Sequence, residues 1–148
     1  MKAVFLIGRI VFGGFFLYHG IEHFRQRRQF TDYARSKNVP SADAGVIVSG
    51  LMLLAGGASI ILGLKPKLGA LAIAAFLGGA SPLMHDFWRQ EDPNQRMSEM
   101  YQFEKNLALL GATLALMGMK EPWPVSASRV QHAGRPQRVL EFARKLAA

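Results

Sequence analysis

The stretch AGVIVSGLMLLAGGASIILGL, residues 44–64, runs without a single charged residue. A bilayer hydrocarbon core of about 30 Å needs roughly 20 helical residues to cross it, so this stretch alone reads as a membrane span. Three further apolar runs repeat the signal: Ala3–Ile21, Leu68–Met84 and Leu107–Met119, the last reaching back to about Phe103. The apolar residues are continuous rather than alternating, which favours helices over the strands of a membrane barrel. The expected fold is all-α, a transmembrane four-helix bundle over residues 1–120, with spans at about 3–21, 44–64, 68–85 and 103–119. A basic polar tail over 121–148 follows it.

The connections support this order. Lys65-Pro66-Lys67 after Gly63 predicts a tight turn and antiparallel neighbours for the second and third spans. Gly13-Gly14, Gly20, Ser49-Gly50 and Gly56-Gly57 supply the small residues that let helices meet closely in lipid, where apolar surface alone gives no association force. Pro82 removes a backbone donor near the end of the third span and predicts a kink there. The first loop, Glu22–Asp43, is basic, and Phe30-Thr31-Asp32-Tyr33-Ala34 reads as the start of a short helix on the membrane surface. Ser41 or Asp43 is the expected cap of the helix that follows. Asp92-Pro93-Asn94 reads as a turn in a polar loop over Arg89–Met100. Past Pro124, Ser126–Pro136 reads as a linker. Gln137–Ala148 reads as a basic amphipathic helix lying on the surface, its apolar side Val139, Leu140, Phe142, Ala143 and Leu146.

The formal net charge is +8 and there is no cysteine among the 148 residues. Missing cysteine excludes disulfide, thiolate and iron–sulfur chemistry on this chain. In a multi-span protein, basic loops resting on anionic headgroups account for the charge, and no nucleic-acid motif is present, so membrane lipid is the expected partner and nucleic acid is not. The first run follows Lys2 but is interrupted by Arg9 and lacks a small-x-small cleavage site, so it is expected to be a retained span rather than a signal peptide. Arg9 itself is expected to snorkel to the headgroups. Basic residues on the two sides are nearly balanced, and the positive-inside rule leans to cytoplasmic termini.

Ionisable groups at the ends of spans are costly and so mark candidate sites. The first span ends, the third ends and the fourth begins on the same face. That places His19, Glu22, His23, His85, Asp86, Tyr101, Glu104, Lys105 and Asn106 at similar depth as candidate ligand-binding residues. His19 and His23 are four apart and share a helix face. Two such histidines with His85 and a carboxylate can hold a divalent metal, but no tight multi-ligand motif is present and a resident metal is not expected. Histidine, tyrosine and carboxylates near the interface suit a quinone head, whose carbonyls they can hydrogen-bond and whose protons they can move. A structural reading of the same residues pairs Asp86 with Lys105 or an arginine, bonds His85 to a carbonyl and assigns Trp88 and Tyr101 to the aromatic belt.

Several of these residues also carry a family likeness. Leu6-Ile7-Gly8-Arg9, Phe16-Leu17-Tyr18-His19-Gly20-Ile21-Glu22-His23-Phe24, the glycines of span two, His85-Asp86-Phe87-Trp88 and Phe103-Glu104-Lys105-Asn106-Leu107 resemble the DoxX family over about residues 3–119. The resemblance implies a four-helix protein of the bacterial or archaeal cytoplasmic (inner) membrane. The family is named for a small subunit associated with thiosulfate:quinone oxidoreductase. It lends no established catalytic residue. Many members carry a glutamate in span two near the position of Leu53, so a role for that carboxylate does not carry over. The expected function is a non-catalytic subunit of a redox or electron-transfer assembly that holds a quinone or lipid at one membrane face. Its partners are other membrane redox subunits or further copies of itself. The rivals are a quinone-linked oxidoreductase in its own right, against which stand the missing cysteines and cofactor motifs, and a small transporter, against which stand the uncharged spans.

Overall fold

The structure, a computed structural model, describes residues 1–127. The proposed linker past residue 127 and the helix at Gln137–Ala148 lie outside the described residues. Five α-helices appear among those described: α1 Lys2–Arg25, α2 Arg27–Ser36, α3 Ala42–Leu62, α4 Pro66–Met84 and α5 Pro93–Met117. A single 3₁₀ turn, Phe87–Arg89, joins α4 to α5. Three segments are long and apolar enough to cross a membrane: α1, α3, and residues 66–89, which comprise α4 and the turn after it. The expected fourth span lies within α5. That helix begins ten residues before Phe103, because Asp92-Pro93-Asn94 starts it rather than making a turn. The Asp92 carboxylate accepts from the Asn94 amide at 3.0 Å, and Pro93 occupies the first helical position, where its missing N–H is not needed. The polar residues Arg96, Glu99, Glu104 and Lys105 fall in the first half of α5, so it does not qualify as a span by composition.

α3 packs between α1 and α4, and α4 packs between α3 and α5. Glycines set the closeness of the first two interfaces. A Cβ on Gly57 would stand 2.6 Å from the Gly13 carbonyl oxygen, and one on Gly13 would stand 2.8 Å from that of Gly57. A Cβ on Gly56 would meet the Gly69 carbonyl oxygen on α4 at 2.9 Å. The adjacent pair Gly56-Gly57 therefore serves two neighbours at once, Gly57 toward α1 and Gly56 toward α4. Such backbone approach gives van der Waals packing that bulkier residues would prevent. Phe16, Leu53, Ile60, Ile73 and Leu77 form the buried core between these helices. The turn from α3 to α4 uses positive φ at Gly63 (65°) and Lys65 (45°), with Pro66 starting α4. Ser41 also has positive φ and makes no side-chain cap. Asp43 does not cap α3 either, because Arg27 and Thr31 of α2 engage its carboxylate.

At the end where α1 begins, the chain after α5 folds back into the core. Trp123 is fully buried and meets Phe5 edge to face at 5.4 Å. Arg9 does not snorkel. It is only 3% exposed, and its guanidinium donates to the carbonyls of Pro124 at 3.1 Å and Val125 at 2.6 Å. Backbone carbonyls left without helical donors by the irregular segment draw the cation inward instead of toward headgroups.

Candidate functional site

At the opposite end α2 lies against α3, as an amphipathic surface helix should. Its buried side carries Thr31 and Ala34. Arg27 fixes it to the start of α3, with Nε donating to Asp43 Oδ1 at 3.0 Å and Nη2 to the second oxygen. This placement hangs Phe30, Tyr33 and Ala34 over the space between α3 and α4, where they wall a cavity of about 370 Å³. Val46, Met52, Phe76 and Leu83 supply much of the apolar lining. Polar residues line it from five elements: His23 of α1, Tyr33 of α2, Ser49 of α3, His85 at the end of α4 and Asn106 of α5.

A compact network ties these elements together beside the cavity, with Glu99 at its centre. One Glu99 oxygen accepts from His85 Nδ1 at 2.8 Å, and the other from the Tyr33 hydroxyl at 3.1 Å and Lys37 Nζ at 3.3 Å. Lys37 also donates to Asp86 at 2.6 Å, and Gln90 donates to the same Asp86 oxygen at 3.0 Å. The side chains of Lys37, Asp86 and Glu99 are only 11%, 14% and 12% exposed, so their charges act with little screening. Burial alone would raise the Glu99 carboxyl. The His85 hydrogen bond, the Lys37 charge and the Tyr33 hydroxyl outweigh it and hold the group below the ordinary glutamate value. Burial likewise opposes the charged form of Lys37, yet the bond to Asp86 and the nearby Glu99 lift it above the usual lysine range. Burial and the Glu99 charge push the Tyr33 phenol up, so it stays a donor.

This charge pattern settles how the two histidines can act. A carboxylate only accepts, so His85 Nδ1 carries the proton toward Glu99, and Nε2 is left as the neutral ring's acceptor. His23 Nδ1 faces the His19 carbonyl oxygen at 2.8 Å, which also only accepts, so the same tautomer follows. The His23 ring stacks on Phe30 at 4.6 Å and meets Phe76 edge on at 6.0 Å, which holds it at the cavity wall. Two oriented imidazoles, each with one acceptor nitrogen uncommitted among the described residues, stand around one apolar cavity.

The candidate residues read from the sequence separate into groups. His23, His85 and Asn106 line the cavity, and Asp86 anchors the network next to it. Glu22 is buried but turns to Arg25 and Gln26, and His19 packs against Phe15 and Tyr18. Tyr101, Glu104 and Lys105 are exposed, and Lys105 bonds Gln102. The expected pairing of Asp86 with Lys105 or an arginine is replaced by Lys37, and the expected carbonyl partner of His85 by Glu99. Sequence reasoning missed Tyr33, Lys37 and Glu99. Glu99 sits in a polar stretch taken for a loop, and only the Asp-Pro helix start would have moved it onto a helix. Among the described residues, no group of three or more His, Cys, Asp or Glu side chains is placed to hold a metal ion.

Comparison with known proteins bears on α1 to α4. A family model described as DoxX matches residues 4–86, more than half of the chain, and ends at Asp86, so Glu99 and Asn106 fall beyond it. No curated protein and no solved structure matches the chain.

Proposed function

The chain belongs to the DoxX family, and we propose that it is a four-span subunit of a redox assembly in the cytoplasmic membrane, holding a quinone head in the cavity under α2. The fourth span in this reading is the apolar part of α5, from about residue 103 onward. Its flanking Glu99 and the exposed Glu104 and Lys105 then lie at the interface, where charged groups are cheap.

The observation that carries the reading is the set of polar groups meeting inside an otherwise apolar cavity. Ligand sites are typically apolar hollows with a few placed polar groups. A quinone needs donors for its carbonyls, and a quinol needs acceptors for its hydroxyl protons. The Asn106 amide is a donor, and the Nε2 atoms of His23 and His85 are acceptors; the single proton of the Tyr33 hydroxyl is already given to Glu99. A quinol hydroxyl can donate to His85 Nε2 while Nδ1 stays bonded to Glu99, which fixes the ring's orientation. Lys37 in turn keeps Glu99 ionised. The chain supplies orientation and proton handling, and the electrons go to a partner subunit.

The reading is tested by titrating the protein in nanodiscs with decylubiquinone, a short-tailed benzoquinone. Wild type should bind it, and the double variant His23→Leu/His85→Leu should bind at least about tenfold more weakly, the loss expected for two hydrogen bonds. Equal affinity in the two proteins would remove the quinone from this cavity.

A further inference from the structure

The cavity under α2 is walled on three sides. Toward water, α2 roofs it with Phe30, Tyr33 and Ala34, and ion pairs hold that roof at both ends. Arg27 is bonded to Asp43 at one end, and Lys37 to Asp86 and Glu99 at the other. Inward, His23 of α1 and Asn106 of α5 line it. Toward the turn between α3 and α4, those two helices close it. A Cβ on Gly56 would stand 2.7 Å from the Ile73 side chain and 2.9 Å from the Gly69 carbonyl oxygen.

The fourth side is different. Gly45 and Val48 of α3 and Ala75 and Gly79 of α4 line the cavity and are also exposed. On helices that cross a membrane, exposed apolar residues face lipid. Three of these four are glycine or alanine, and neither Gly45 nor Gly79 has any atom within 4 Å of its missing Cβ. The slot between the two helices therefore stays open where larger side chains would fill it. Its depth fits the same reading. Met52 lines the cavity and is the middle residue of Ala42–Leu62, and Ala75 is the middle residue of Pro66–Met84. From Ala42 to Met52 is about 15 Å along a helix. The cavity thus runs from the roof to the middle of both spanning helices, a depth at which a bilayer holds only hydrocarbon.

We infer that the gap between α3 and α4 is a lateral window into the bilayer, and that the ligand of the cavity is an amphiphile whose long apolar tail leaves through it. Polar groups stand at the roof and the inner wall, and apolar ones at the window. A ligand therefore lies with its head inward and its tail toward the bilayer midplane. Entry through the window breaks no bond of the roof, whereas entry from water requires α2 to lift against its ion pairs. The tail is that of the quinone, an assignment that rests on the reading given under Proposed function; the window itself does not.

Two measurements test this. The first compares wild type with Gly45→Leu/Ala75→Leu in nanodiscs, titrated with decylubiquinone and with the same ring lacking its decyl chain, against empty nanodiscs as blank. The variant should bind decylubiquinone at least about tenfold more weakly, because its tail meets occupied space. Its affinity for the tail-free ring should stay within about twofold of wild type. Equal losses for both ligands, or no loss for either, would overturn the tail's path. The second measurement reads the window without any quinone. The chain has no cysteine, so a nitroxide on Met52→Cys reports alone. It should collide with dissolved oxygen as often as a nitroxide on Leu51→Cys, which is exposed on the outer side of α3, and rarely with a water-soluble nickel chelate. Frequent collision with the chelate, or rare collision with both, would overturn the window. A wild type that binds neither quinone removes the quinone reading, and the window is then decided by the nitroxide.

Discussion

Gly56-Gly57 and Gly78-Gly79 are the same dipeptide placed on neighbouring helices, and they do opposite things. The first is crowded on both sides. Gly57 lies against the backbone of α1, and Gly56 against that of α4. The second is exposed and has no atom within 4 Å of either missing Cβ, with Gly79 at the edge of the cavity under α2. In lipid, where helices gain no hydrophobic drive to associate, a glycine either closes an interface or hollows one out. The local sequence does not distinguish these uses; the neighbour's position does. The middle of the bundle is therefore close-packed, and the end under α2 holds a cavity, the one proposed above to take a quinone head.

The sharpest way to break this contrast is a large side chain at each pair. Gly57→Leu drives a side chain into the Gly13 carbonyl and the Leu17 backbone at 2.6 and 2.7 Å. Backbone cannot yield as a side-chain tip can, so the loss should reach about 3 kcal/mol or more, seen as aggregated or unextractable protein in size-exclusion chromatography. Gly79→Leu should leave the melting temperature unchanged while reducing decylubiquinone affinity at least about tenfold, because it fills a ligand cavity and displaces no protein. Equal stability losses at the two sites would erase the distinction.

Glu99→Gln probes the ligand end more gently. It removes the charge facing Lys37 and His85 but keeps the shape, and should weaken quinone binding by roughly 1–2 kcal/mol, about five- to thirtyfold. The pH dependence has a defined sign. The folded Glu99 carboxyl lies below its ordinary value of 4.5, so its stabilising contribution is complete above that value and is lost as pH falls through the lower folded one. Hydrogen exchange in α2 should therefore stay protected from neutral pH down to about 5 and rise only in more acid buffer. Glu99→Gln should be exchange-labile in α2 across that whole range. The smallest effect belongs to Lys105→Ala. That side chain is exposed and touches only Gln102, so stability and quinone affinity should stay within about 0.5 kcal/mol of wild type.

Much of the helical layout was legible in the sequence. Continuous apolar runs mark α1, α3 and α4, the turn at Gly63–Lys67 falls where glycine and proline require it, and Phe30–Ala34 does lie in a surface helix. What stayed hidden is what depends on distance along the chain. Arg9 looks like a snorkelling residue until the chain after α5 returns with carbonyls for it. Lys37 looks like one more solvated cation of a basic loop, and Glu99 like part of a polar linker, until α2 and α5 meet. His85 and Asp86 were legible as polar residues at a span end, but their partners were not, because pairing across 14 residues to Glu99 and 49 to Lys37 leaves no periodic signal. Tyr101, Glu104 and Lys105 share the depth of the site but not its face, a distinction the helical phase of α5 makes and topology alone does not.

The most direct measurement of the central claim is the quinone content of the protein drawn from its own membrane in mild detergent, read by native mass spectrometry beside Gly79→Leu. The account predicts quinone bound to the wild type and lost from the variant, with both chains equally folded. A wild type without quinone, or a variant that keeps it, would contradict the account.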